Sequence, residues 1–421
     1  VLIGLMTILR NLSIPLLIVT CTVSLIWWAF PEGLSTARTL GIVLGWAGCS
    51  LLLASLLLML RETWLAQWLG GLERMYQWHH WTGTTAYVLL LAHPLVLAAD
   101  VWPNSRLLAW QTLSPFSQGW PIWAGWLSLL FLMLGLAATF IMRIPYQIWR
   151  LLHFGLGVGV LLGLVHLVLL GISEPVLPIF GLAVSFLGWR VIRDDLGLAA
   201  RPYVVGSVKS VAEDIVEISL KPLADPAAIT PGQFVLVAFS GPAFRDCGEF
   251  HPFTVSSIGA NHEICIVVKA LGDCTRHIQS VEPGAMVRVH GAFGTFLADR
   301  PPTPQLWVAG GIGIIPFLAL LRAGPVNQPT TLLYLYRAEM DAAFLHELQL
   351  IAKGDQLLSL KALATGDKAP DLNSLLPDSQ GLANYECYLC GPRGMVAALR
   401  KDLHNRGVTP HQIHFEKFEF R

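Results

Sequence analysis

The chain has 421 residues and 46.2 kDa, with 28 basic and 28 acidic side chains, 13% charged residues and a mean hydropathy of +0.57. An ordinary soluble protein carries about a quarter charged residues, so this composition excludes a simple soluble domain and a disordered chain, and the zero net charge excludes a nucleic-acid binder. Seven cysteines, scattered from Cys21 to Cys390, imply no disulfide framework, and the length allows two or three domains.

The average conceals two regimes that meet near residue 195. Fourteen of the fifteen Trp lie between Trp27 and Trp189, while the first Lys is Lys209. Six apolar runs come first, at about 12–30, 38–60, 82–101, 122–142, 150–171 and 174–192. Each is near the ~20 residues that cross a hydrocarbon core, which predicts a six-helix bundle surrounded by membrane lipid. The first run has no small-residue cleavage site and reads as a retained helix. Arg61, Arg74, Arg143 and Arg150 fall on the side of the two ends, joined by Arg190, Arg193 and Arg201, against Arg38 and Arg106 on the other. By the positive-inside rule both ends are cytoplasmic. Trp27, Trp28, Trp64, Trp68, Trp78, Trp102, Trp110, Trp120 and Trp123 cluster at run ends, as expected for an interfacial belt.

Five histidines lie on or beside two of these runs: His79, His80 and His93 on the third, His153 and His166 on the fifth. Ionisable groups inside spans are expensive and point to function. His79 and His93 are fourteen apart, almost four turns and about 21 Å along one helix face, enough for two metal centres stacked through the bilayer. His153 and His166 are thirteen apart, which on an ideal helix leaves them at different azimuths. Gly155, Gly157, Gly159 and Gly163 between them would permit local rewinding and the approach of a flat macrocycle. No Cys or carboxylate joins them at zinc spacing. Haem suits facing imidazoles, and the alternative for any one His is a hydrogen bond to a neighbouring helix.

From Arg201 the pattern becomes short strands with Pro and Gly between them, such as "GQFVLVAF", "EICIVVKA" and "AMVRVHGAFG", predicting an antiparallel β-barrel. After Pro304 strands alternate with helices, predicting a parallel nucleotide-binding sheet. The expected domains are therefore 1–195, 201–300 and 304–421. "HPFTVSS" (His251, Pro252, Phe253, Thr254, Ser256) offers planar and hydroxyl groups at a barrel strand, and Lys269 precedes a turn with Gly272, Asp273 and Thr275 at a helix start, where amides can meet a pyrophosphate. An ordinary capped helix would look the same. "VAGGIGIIPF" places Gly310, Gly311, Gly313 and Pro316 between a strand and a helix, as dinucleotide phosphates require. "CYLCGPRGM" reads as the end of the last strand of the sheet, with Cys390, Gly391 and Pro392 at its carboxyl edge, where ligands of open α/β sheets bind. Cys387 and Cys390 also spell CxxC, a weak signal for a dithiol or half a zinc site. Arg337 ends "LLYLYR", where a 2′-phosphate could be met. Phe415, Phe418 and Phe420 alternate at the chain end, as flavin covers or as a last core strand.

In this order the pieces resemble the NADPH oxidase and ferric reductase superfamily over nearly the whole chain. The resemblance implies a six-helix domain holding two b-type haems between its third and fifth helices, His79 with His153 for the inner and His93 with His166 for the outer. It implies FAD held by "HPFT" and "GDCT", NADPH (with NADH open) held by the glycine string and "CGP", and Phe418, with Phe420 as second choice, shielding the flavin. His80 is then a polar neighbour at the rim. Arg38 matches an arginine near the outer haem, which together with Cys390 and Phe418 makes up the expected catalytic set. Ile315 stands where the family often has Thr, and Leu97 where eukaryotic oxidases carry a His. The expected activity is electron transfer from cytosolic NADPH to molecular oxygen on the opposite side, giving superoxide without an obligatory protein partner. The alternatives are a ferric-chelate reductase and a donor to a protein partner, and the apolar loop from Val101 to Pro121 speaks for a cover more than a docking face.

Overall fold

The computed structural model describes residues 2–140, 144–241, 244, 247–298, 300–366, 376 and 382–416. The chain divides into two compact units, Val1–Arg61 with Trp68–Leu196, and Glu62–Gln67 with Gly197–Arg421.

The first unit is helical because its sequence offers long apolar runs whose backbone groups can be satisfied in lipid only within a helix. The helices are α1 (Leu2–Ala29), α2 (Thr36–Leu58), α3 (Thr63–Leu69), α4 (Leu72–Val101), α5 (Arg106–Leu113), α6 (Trp120–Phe140), α7 (Tyr146–Leu169) and α8 (Ser173–Arg190), and a π-turn over Val191–Asp195 prolongs α8. Five of them are long and apolar enough to cross a membrane, and a further apolar stretch, Ser13–Trp28, lies in α1. Helix α4 starts ten residues before the predicted third run, so His79 and His80 lie well inside it. The expected cover loop contains the short helix α5, with Trp110 and Phe116 exposed. Trp46, Leu56, Leu132, Leu164 and Val176 form a buried core between helices. At one end of the bundle Arg190 donates to the Met59 carbonyl (2.8 Å) and lies 3.4 Å from Asp194 and 3.7 Å from Asp195. There too Arg61 donates to the Tyr76 hydroxyl at 2.8 Å.

In the second unit the strands β1 (Arg201–Ala212), β2 (Ile215–Pro222), β3 (Phe234–Phe239), β4 (His251–Ile258), β5 (Ile264–Lys269) and β6 (Met286–Phe293) close into an antiparallel barrel in the order β1-β2-β5-β4-β3-β6. Helix α9 (Asp273–Ile278) lies between β5 and β6. Their alternating apolar residues, among them Tyr203, Ile218, Val237, Val255 and Ile266, fill the barrel core. A five-stranded parallel sheet follows, built from β7 (Gln305–Gly310), β8 (Thr330–Tyr336), β9 (Leu358–Ala364), β10 (Glu386–Cys390) and β11 (Ile413–Glu416), with α10 (Ile315–Ala323), α11 (Leu345–Gly354) and α12 (Arg393–Asn405). Its order is β11-β10-β7-β8-β9. The chain leaves β7 toward β8 on one side and later returns to pair β10 on the other, which opens a crevice at the carboxyl ends of β7 and β10.

Cys247 and Cys274 form a disulfide, their Cα atoms 5.2 Å apart. This corrects the expectation of no disulfide: spacing along the chain does not record that the approach to β4 folds back on the start of α9.

Candidate functional site

The four histidines paired on sequence grounds sit on α4 and α7. His79 and His153 face each other with ring centroids 6.1 Å apart. His93 and His166 line one cavity of about 350 Å³, together with Arg38, Trp46, Leu97 and Gln118.

Three of the four rings are held alike. The Nδ1 atoms of His93 and His166 lie 2.7 Å and 2.6 Å from the carbonyls of Gly41 and Pro121. His79 Nδ1 lies 2.9 Å from the Ser55 carbonyl and 2.9 Å from its hydroxyl. A carbonyl only accepts, so each ring carries its proton on Nδ1 and offers the Nε2 lone pair to a further partner. Metal-binding histidines are held in this way. In the outer pair the device is repeated on two helices. One turn beyond Gly41 on α2 is Gly45, and one turn beyond Pro121 on α6 is Gly125. A Cβ at Gly45 would stand 3.1 Å from His93 Nδ1, and one at Gly125 3.0 Å from His166 Nδ1, so each imidazole rests close against a helix backbone where a side chain would press on it.

His153 is held differently. Its Nδ1 is buried without a hydrogen-bond partner, and its ring stacks on Trp149, one turn earlier in α7, at 4.8 Å and 21°. Two metal–imidazole bonds of about 2 Å each, together with the distance from each ring centre to its nitrogen, come close to the 6.1 Å between His79 and His153. The donor set therefore fits two bis-imidazole haems, and among the described residues no three His, Cys, Asp or Glu converge as a different metal site would need. The expected rewinding of α7 is not found, because the helix runs unbroken from Tyr146 to Leu169. Its glycines pack against neighbouring helices: Gly159 and Gly163 lie against Ser128 of α6, whose hydroxyl donates to the Gly159 carbonyl at 2.7 Å, and Gly157 lies against Leu187, while Gly163 also lines the cavity of His93 and His166. His80 is exposed.

In the barrel, His251, Pro252, Phe253 and Thr254 pair with Val237, Leu236, Val235 and Phe234 of β3. The His251 Nε2 is buried with no hydrogen-bond partner, a polar atom that a ligand can answer. Burial holds its pKa below the usual histidine value, against the opposing pull of Glu249. Ser256, expected among the flavin contacts, is wholly buried and donates to Glu217 (2.6 Å) and to the Cys265 carbonyl (3.2 Å). Its hydroxyl is spent within the protein, at the point where the pairing of β4 with β5 shifts register between Val255 and Ser257. Thr275 accepts from the amides of Leu271 and Gly272 at 2.9 and 2.8 Å, tying the turn at the start of α9. Asp273 lies 3.2 Å from Arg276, and Lys269 lies 4.0 Å from Asp341.

In the crevice the glycines have two tasks. A Cβ on Gly313 would meet the Cys390 carbonyl at 2.3 Å, and one on Gly391 would meet Gly310 Cα at 3.0 Å, so these glycines let the loops after β7 and β10 touch. Gly311, at φ +54°, has open space beside it. Pro316 is buried in the first turn of α10, and Pro392 precedes α12. Arg337 is exposed just past the carboxyl end of β8. Cys387 and Cys390 belong to apolar clusters on opposite faces of the sheet, and burial, with Glu386 adding, pushes the Cys387 thiol up to about 12. A dithiol is thereby excluded. Phe415 lies on β11 with the Arg400 guanidinium 4.2 Å over its ring, while Phe418 and Phe420 fall outside the described residues.

Ser55, Gly45, Gly125 and Trp149 escaped the sequence reading. The small-residue run Gly41, Gly45, Gly48 on α2 and the four-residue spacing of Trp149 and His153 were available signals.

Residues 44–164 match the model of the ferric reductase like transmembrane component, and residues 203–303 that of an FAD-binding domain. The chain is 28% identical to the ferredoxin–NAD(P)(+) reductase component of the naphthalene 1,2-dioxygenase/salicylate 5-hydroxylase systems of Ralstonia sp, over 53% of this chain and 72% of that one. It is 26% identical to a flavohemoprotein of Oceanobacillus iheyensis over 40% of this chain and 43% of that one. Among solved structures, flavohemoglobin from Malassezia yamatoensis, with bound FAD and heme, aligns with 92% of this chain and all of its own, at a TM-score of 0.50 and 18% identity, a likeness of fold. The protein is a multi-pass membrane oxidoreductase that binds FAD and NAD(P)H. With a ferric-reductase-like membrane half joined to a ferredoxin–NADP reductase-like half, the chain matches the architecture of the NADPH oxidase and ferric reductase superfamily.

Proposed function

We propose that the protein takes electrons from cytoplasmic NADPH through FAD and two bis-histidine b-type haems to molecular oxygen on the far side of the membrane, releasing superoxide. The observation that carries the reading is the set of two histidine pairs on α4 and α7, three of whose rings have Nδ1 bonded to a backbone carbonyl and Nε2 left for a metal. The arginine-rich end of the bundle, with Arg61, Arg150 and Arg190, carries His79 and His153 and is assigned to the cytoplasm. When bound, FAD accepts a hydride and releases electrons singly, as haem iron requires.

The protein's own contribution is positioning. His251, Pro252, Phe253 and Thr254, with the turn at Gly272, Asp273 and Thr275, hold the flavin. Gly311 and the paired loops at Gly310, Gly313 and Gly391 admit the nucleotide, Cys390 stands beside them, and Arg337 meets the 2′-phosphate that favours NADPH over NADH. Phe418, or failing it Phe420, covers the flavin. His79 with His153, and His93 with His166, would each hold a haem iron between two imidazoles and leave it no room for oxygen, so the acceptor would be met in the cavity. There Arg38 offers a positive charge to a forming anion.

The test is NADPH-driven reduction of a superoxide probe by the purified protein in detergent or vesicles, with and without superoxide dismutase. A signal removed by dismutase supports the proposal. A signal indifferent to dismutase with rapid reduction of ferric chelates makes the protein a ferric-chelate reductase, and activity only on adding a protein acceptor makes it a donor.

A further inference from the structure

Arg322, in the last turn of α10, gathers groups from three other elements. Its Nε and Nη2 donate to both carboxylate oxygens of Glu347 on α11, at 2.7 and 2.9 Å. Nη1 donates to Glu217 on β2 at 2.5 Å and to the Ser256 carbonyl on β4 at 3.5 Å. The Ser256 hydroxyl donates to the same Glu217 oxygen, and the guanidinium lies 4.9 Å over the Phe344 ring. The side chain is 19% exposed and Glu217 13%. Burial opposes the charge on Arg322, but the bonds to Glu347 and Glu217 overcome it and hold its pKa above the ordinary arginine value. Around the cluster an apolar core is shared by barrel and sheet, with Ile215 and Val267 packed among Ile315, Phe317 and Leu318.

The placement links the two cofactor-binding segments. Helix α10 begins where the glycine string ends, and Arg322 is at its other end, about two turns away. The strand it grips, β4, is the one that opens with His251–Thr254. One rigid helix thus carries the nucleotide loop at its start and a clamp on the flavin strand at its finish. Only a planar guanidinium can bind one carboxylate through two nitrogens and a second through the third.

We propose that Arg322 is a positioning residue for hydride transfer: by tying α10 to β2, β4 and α11 it sets the reach between nicotinamide and flavin. The proposal rests on the reading that this half passes hydride from NAD(P)H to FAD. Hydride transfer falls steeply with sub-ångström misplacement, so the clamp acts on the chemical step more than on affinity.

The experiment is anaerobic stopped-flow bleaching of the flavin in the purified full-length protein at saturating NADPH. It compares wild type with Arg322→Gln, Arg322→Lys and Glu347→Gln, using NADPH and its 4-deuterated form. The expected result is bleaching slowed about ten-fold or more by both Arg322 variants and less by Glu347→Gln, with the FAD content and the affinity for NADP⁺ retained and a larger deuterium isotope effect. Lysine should rescue no better than glutamine. Arg322→Gln in a Glu347→Gln background should cost less than in wild type, because the two share one interaction. Unchanged bleaching rates and isotope effects in folded, flavin-loaded variants would overturn the proposal, as would FAD loss with a normal rate in the loaded fraction. If the Arg322 variants do not fold, Glu347→Gln decides by the same readouts. A wild-type protein whose flavin neither NADPH nor NADH bleaches removes the underlying reading and the proposal with it.

Discussion

In the membrane unit each of the four paired histidines is answered by one neighbour: Ser55 for His79, Gly41 for His93, Pro121 for His166 and the Trp149 ring for His153. In the reductase unit a single arginine collects two carboxylates, a carbonyl and an aromatic ring. The difference follows from the solvent. Lipid offers no competing hydrogen bonds, so one carbonyl per ring suffices, and every additional polar group would be a cost. A water-facing unit can carry many charges and can spend several of them on one joint.

The same contrast separates the two histidine pairs. The outer pair has identical devices on α2 and α6, which fix both ring plane and tautomer. The inner pair has a hydrogen bond on one side and a stacking contact on the other, and stacking fixes the plane without choosing which nitrogen carries the proton.

The largest effect is expected from His93→Ala/His166→Ala. It should remove the outer low-spin b-type signal from the reduced spectrum and lower electron delivery to external acceptors about a hundred-fold or more, leaving anaerobic flavin bleaching by NADPH intact. Loss of bleaching as well would break the division of labour between the units. Next come Gly45→Leu and Gly125→Leu, whose side chains would push into His93 and His166. Haem retained at the outer site, read from the pyridine haemochrome and reduced spectrum, should fall about ten-fold. Gly83→Ala serves as the control, since its Cβ would meet Ser55 only at an ordinary 3.6 Å.

Smaller effects belong to the reductase unit. The disulfide closes a loop of 27 residues, so Cys247→Ser should lower the stability of this unit by about 3 kcal/mol, read from its urea midpoint and matched by reductant on the wild type. A haem spectrum unmoved by the same change keeps the two units separate. The smallest effect is that of His251, whose native pKa lies below 6.5 because of burial. The unfolded chain then binds more protons than the native one between the depressed value and 6.5, so this contribution is fully present above pH 6.5 and is lost as the pH falls through that window. His251→Gln should flatten the fall in urea midpoint between about pH 7 and pH 5, by at most about 1.4 kcal/mol per pH unit. An unchanged slope would show that His251 is not the group responsible.

Much of the molecule was legible before any coordinates. The boundary near residue 195, the membrane helices and the change to barrel and parallel sheet follow from apolar run lengths and turn residues, which are local signals. The four histidines stood out because an ionisable side chain in lipid is too costly to keep without a use. Among the glycines of α7, Gly157 and Gly159 mark the approach of α8 and α6, while Gly163 also lines the cavity of His93 and His166. Ser256 misled because the pairing of β4 with β5 shifts register beside it, between Val255 and Ser257, an irregularity no local pattern announces.

By itself the sequence determined the two-part plan, the order of barrel and sheet, and the residues eligible to hold metal, flavin and nucleotide, because hydropathy and periodicity act over a few turns of chain. Only the tertiary structure decided which carbonyl orients each imidazole, that Gly45 and Gly125 seat the outer pair, that Cys247 meets Cys274, and that Arg322 finds Glu217 105 residues away. These are meetings between distant segments, fixed by how helices and strands pack, and no local pattern in the chain records them.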